Sequence, residues 1–174
     1  MRNSLKLLAA MACLSGVIPY ANAQEQTPFD WSDVTFAAGI GVNYTGIGGS
    51  VGYVRGHEYY SLSVGVMNSS DRYGENVGVG LSYQRSDLLP KWFGLSEQHT
   101  IGGYVGSLGT EISATIRNGS VFTRQKDMLG GAVTYNYYLN GFQNRGFHFG
   151  AFAGYSFSDI EDKGTVGFQV GYRF

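Results

Sequence analysis

His57, His99 and His148 are the side chains best placed by type for general-base chemistry in this 174-residue sequence. A base serves acyl transfer or hydrolysis only within hydrogen-bond reach of a nucleophile, and the three histidines are widely scattered. No HExxH or HxxEH stretch accompanies them, and no spacing suggests a metal site. A lipid-modifying enzyme is therefore the least favoured reading, and neither a cofactor nor a metal is expected. A second cluster is cationic. Arg117, Arg124 and Lys126 could meet lipopolysaccharide phosphate or an acidic glycan through charge-assisted hydrogen bonds. Glu111, Asp127, Asp159, Glu161 and Asp162 offset them, so solvated loop charge is the simpler reading.

The elements that would carry these groups begin after an N-terminal leader. Arg2 and Lys6, the apolar run Leu7 to Ile18 and the small-x-small site Ala21-Asn22-Ala23 read as a secretory signal peptide, residues 1–23, cleaved before Gln24. Its apolar run is shorter than the roughly 20 residues of a helical span. Cys13, the single cysteine, leaves with it, so no disulfide is expected in the mature chain. So do Arg2 and Lys6, leaving ten basic against thirteen acidic side chains. That balance carries no electrostatic footprint for nucleic acid. Residues 24–33 read as a short periplasmic segment ahead of the folded domain, 34–174.

From residue 34 onward no helical period is sustained, and apolar residues recur at every second position. One face carries Phe36, Ala38, Ile40, Val42 and Tyr44; Val51 and Tyr53; Tyr60, Leu62, Val64 and Val66; Val77, Val79, Leu81 and Tyr83. It continues with Ile101 and Val105; Leu129, Val133, Tyr135 and Tyr137; Phe147, Phe149, Tyr155 and Phe157; and Val166, Phe168, Val170, Tyr172 and Phe174. Eight strands result. The opposite face is mostly Gly, Ser, Thr and Asn, with scarcely a charge, which makes a poor water-facing surface. It does suit the lining of a narrow eight-stranded barrel whose bulky face meets lipid. The expected fold is all-β, an eight-stranded antiparallel up-and-down transmembrane barrel, with Tyr44, Tyr83, Tyr137 and Phe157 in interfacial girdles.

An even strand number puts both termini on one side, and the connections then alternate from it. Gly56-His57 and Asn140 to Gly146 are turns on the terminus side, together with all three histidines. Thr45 to Gly48, Asn68 to Asn76 and Ser158 to Lys163 are outer loops. Asp87 to Gln98 is a long terminus-side connection carrying Trp92 and Phe93, expected as an interfacial plug or short helix against the rim. Around 108–127 the alternation leads to and from Asn118-Gly119, the signature of a protruding hairpin. Apolar positions change from odd to even between Val105 and Ile112, which calls for one bulge near Ser107 to Gly109. Inward Tyr59, Tyr104, Tyr138 and Phe152 could block the lumen, with Arg173 and His148 its main ionisable groups.

The leader, the eight alternating strands and the final Val170-Gly171-Tyr172-Arg173-Phe174 resemble small Gram-negative outer-membrane barrels of the OmpX/Ail/OmpA-barrel type. The resemblance covers essentially the whole mature chain, in pattern more than motif. It implies that Tyr172 and Phe174 form the signal read by the barrel-assembly machinery. It also implies a monomer in the outer membrane, in contact with lipid and lipopolysaccharide. The large charged networks inside some such barrels are missing from this sequence. A structural or surface-interaction role is expected, with a narrow porin-like channel as the alternative.

Overall fold

The computed structural model describes residues 30–70, 74–117, 120–158 and 162–174. The proposed leader and residues 24–29 lie outside them, as do Asp159, Glu161 and the Asn118-Gly119 turn. Over Ser32–Phe174 the chain forms eight strands: β1 (Val34–Gly41), β2 (Gly46–Arg55), β3 (Glu58–Ser70), β4 (Gly74–Arg85), β5 (His99–Arg117), β6 (Ser120–Tyr138), β7 (Gly146–Phe157) and β8 (Lys163–Arg173). Each pairs antiparallel with the next in sequence, and β8 returns to β1, so the sheet closes into a barrel. β-branched and aromatic residues at alternate positions favour this backbone.

The faces follow the sequence pattern. Val64, Leu81 and Val133 stand 50%, 61% and 60% exposed on the outside. Their neighbours Ser63, Ser82 and Thr134 are buried inside. Among the residues whose side chains are described, the phase is kept except at the end of the first strand and past the bulges in β3 and β5. Val42 and Tyr44 were expected to face outward, Tyr44 in a girdle, yet both are buried. β1 stops at Gly41, whose φ of 129° belongs to glycine, and Val42–Tyr44 form a 3-10 turn closed by Thr45 in the left-handed region. That turn folds into the barrel, and Gly46 to Gly48, expected in a loop, already belong to β2.

Asn68 to Asn76 also differs from expectation. Asn68, Ser69 and Ser70 pair with Asn76, Glu75 and Gly74, so β3 and β4 rise as a ladder past a register shift after Val66. Polar residues read as loop here, although the backbone pairing continues through them. The bulge between Ser107 and Gly109 is present, and β5 and β6 pair through to Arg117 and Ser120. In the 87–98 connection, helix α1 (Leu88–Phe93) buries Leu89 and leaves Trp92 and Phe93 exposed. Gly94, at φ 66°, ends it by donating its N–H to Pro90 O at 2.9 Å.

Candidate functional site

The candidate site is the barrel interior with the recess above it, because the inward side chains meet in layers from one end to the other. Nearest the termini, the Arg173 guanidinium lies 4.8 Å from the Tyr138 ring centroid and 5.5 Å from that of Tyr59. It donates to the carbonyl oxygens of Phe142 and Asn144 in the turn between β6 and β7. Phe142 folds inward from that turn and meets Tyr138 edge-on at 5.5 Å. An arginine here binds a loop across the mouth, combining cation–π contacts with charge-assisted hydrogen bonds.

An amide chain crosses the middle layer. Gln84 Oε1 accepts from Tyr138 Oη at 2.9 Å, Asn136 Nδ2 at 3.1 Å and Thr100 Oγ1 at 3.3 Å. Gln169 Nε2 donates to Asn136 Oδ1 at 2.8 Å, and Gln169 Oε1 accepts from the Asn43 N–H at 3.3 Å. Tyr44, carried down by the inserted turn, shares a 2.5 Å hydrogen bond with His148 Nε2. Space for its ring comes from glycine. A Cβ on Gly171 would sit 2.1 Å from the Tyr44 hydroxyl.

Higher up, Tyr104 packs with Val42 and Ala132, flanked by Leu108 and Phe152. Its hydroxyl donates to Ser107 O at 2.8 Å and lies 3.1 Å from Thr45 Oγ1, which in turn bonds Ser63 Oγ at 2.7 Å. The inward placement of Tyr59, Tyr104, Tyr138 and Phe152 matches the sequence reading. Above this layer an open recess of about 360 Å³ occupies the far mouth.

No family model matches the sequence, and no curated protein is recognisably similar to it. Among solved structures, the chain is similar to the crystal structure of the N-terminal β-barrel domain of Pseudomonas aeruginosa OprF. The identity is 17%, the TM-score 0.46, and the match covers 81% of this chain and 96% of that one.

All three histidines sit at or near the terminus end, each beside a hydroxyl. His57 Nδ1 lies 3.1 Å from Ser86 Oγ, and His99 Nδ1 lies 2.7 Å from Tyr135 Oη. The barrel does not bring the three together, and among the described residues no three His, Cys, Asp or Glu side chains converge as metal ligands. The cations are also spread out. Arg117 pairs with Ser120, Arg124 with Ser113 and Lys126 with Glu111, which places Arg117 four residues, roughly 13 Å, beyond the Arg124 rung. Tyr172 and Phe174 meet edge to face at 5.0 Å, and Phe174 donates its N–H to Phe36 O at 2.8 Å where β8 meets β1.

The Gln84–Asn136–Gln169 chain was not singled out from the sequence, and Tyr44 was expected in an outward girdle and not inside. The amides carried a signal, being the long polar side chains on an otherwise small-residue face. Tyr44 carried none.

Proposed function

We propose that this chain is an integral outer-membrane β-barrel with a structural or surface-interaction role and no catalytic one. The observation that carries the reading is an inversion. Large apolar side chains ring the outside of a closed sheet, while among the described residues the inside carries amides, hydroxyls, His148 and Arg173 between its aromatic clusters. A water-soluble barrel would do the reverse, whereas hydrocarbon requires a closed sheet with its apolar face outward. Trp92 and Phe93 on α1, with Tyr60 and Tyr83 at 4.9 Å, supply aromatic material for a girdle at the terminus end, taken as periplasmic.

The stacked layers argue for a plugged lumen over a narrow channel, since Arg173, Tyr138, Tyr44 and Tyr104 each cross it. Against lipid chemistry stands the position of the histidines, away from the outer rim. Outer-membrane lipid and lipopolysaccharide are the expected surroundings, the barrel-assembly machinery the expected partner during biogenesis, and the monomer the expected state. Planar-bilayer recording of refolded protein tests the choice. A heat-modifiable barrel without discrete conductance supports the structural role, while stepwise events support the channel. An altered lipid A acylation pattern on overproduction would support the enzyme.

A further inference from the structure

The barrel wall is uneven. β1 pairs with β8 only from Ala37 to Ile40, opposite Val170 to Arg173, while β8 continues seven residues further, to Lys163. On the other flank, β2 begins at Gly46 and β3 runs on to Ser70. Above Gly41 and Gly46 the wall therefore lacks two strands, a gap of roughly 14 Å between β8 and β3 at an inter-strand spacing of about 4.8 Å. The β8 flank of the gap carries the apolar outer face, with Val166 and Phe168 exposed beside it. Val166 and Phe168 are also the most exposed large apolar residues of the belt, 81% and 88%, against 61% for Phe36 and 48% for Phe149.

Behind the gap lies the recess already described. Gly41 and Gly46 form its sill, Met67 on β3 and Thr165 on β8 its sides, and Leu108 and Phe152 its back wall. Its volume of about 360 Å³ falls in the range of small-molecule sites, roughly 300–1,000 Å³. Two features bear on the occupant. Gly41, Gly46, Met67 and Thr165 border both the gap and the recess, so the two communicate, and the lining joins the apolar Val42, Met67, Leu108 and Phe152 to the hydroxyls of Thr45, Ser107, Thr110 and Thr165. An added peptide strand would pair with the open edge of β8 but leave the apolar back wall uncovered.

We propose that this lateral window admits one aliphatic chain of a membrane amphiphile into the recess between β8 and β3. The inference rests on the membrane reading above. It assigns the far mouth a ligand class: a single-chain or acyl-bearing lipid entering from within the leaflet.

Interior tryptophans in vesicles of phosphatidylcholine with brominated acyl chains test it, in a W31F/W92F background. Phe152→Trp should lose much of its emission relative to unbrominated vesicles, and Leu108→Trp should behave alike. Phe142→Trp, inside the opposite end, should keep its emission. Adding Thr165→Phe, which narrows the window, should restore the Phe152→Trp signal. An inserted, heat-modifiable barrel in which neither upper tryptophan is quenched overturns the inference. Equal quenching at position 142 overturns it too, since lipid would then pervade the lumen. If the upper tryptophans are shielded and Val166→Cys crosslinks two copies, the edge takes a second chain instead, which also overturns it. Failure to insert into vesicles is a different result, because it removes the membrane reading itself and this inference with it.

Discussion

Gly171 shows how single residues set the interior. The Tyr44 hydroxyl occupies the position a side chain there would need, at 2.1 Å from an added Cβ. Gly171→Ala should push Tyr44 off His148 and destabilise the barrel by about 1–3 kcal/mol, the usual cost of overpacking, read from the urea midpoint of refolded protein. An unchanged midpoint would mean that Tyr44 has room elsewhere. Asp87, at the terminus-side rim, makes a pH-dependent contribution. Burial opposes its ionisation, but Arg85 Nε and Nη2 at 2.9 and 2.8 Å and Lys91 Nζ at 2.6 Å outweigh that and hold the carboxyl below the usual range. Because the folded-state value is the lower one, the stabilisation is complete well above the unfolded value of about 3.9 and is lost as pH falls through the folded value. Asp87→Asn should therefore flatten the acid limb of the stability profile and leave its slope near neutrality alone. A profile parallel to wild type would exclude this ion pair as a source of acid sensitivity.

At the scale of elements, the inserted Val42–Thr45 turn separates a plugged barrel from an open one. Replacing it with Asn-Gly, the residues of a tight two-residue hairpin, removes Tyr44 and the Val42 contact with Tyr104. Bilayer recordings should then show conductance steps missing from wild type; silence in both would place the block in Arg173, Tyr138 and Gln84 instead. This is also the element the sequence hid. Period-two alternation gave away the faces of the barrel strands where their side chains are described, because a residue's side of the sheet is settled by parity alone. The change from odd to even apolar positions located the bulge at Ser107 to Gly109 in the same way. Val42 and Tyr44 kept the parity of β1 while leaving its path. What diverts them is the backbone of Gly41 and the hollow over Gly39 and Gly171, and glycines are so frequent in this chain that none stands out. The ladder from Asn68 to Asn76 was hidden for another reason. Composition marks polar residues as loop, while the backbone pairing of Asn68, Ser69 and Ser70 with Asn76, Glu75 and Gly74 continues all the same.

For the whole molecule, closure and inversion belong together. Closure removes unpaired strand edges over most of the circumference, and the outward Val, Leu and Phe side chains then favour hydrocarbon. β1 and β8 share a short seam, with Phe174 bonded to Phe36 beside it. Were Tyr172 and Phe174 an assembly signal, Phe174→Ala should lower the amount of inserted barrel in cells far more than refolding of the pure protein in detergent. Equal losses in both would make Phe174 a seam residue only. The central claim is the direction of the faces, and spin labels along β6 in lipid vesicles test it most directly. Labels at Leu129, Val133 and Tyr135 should collide freely with oxygen dissolved in the bilayer, while labels at Ala132, Thr134 and Asn136 should be shielded. Absence of that alternation, or its reversal in favour of 132, 134 and 136, would contradict the account.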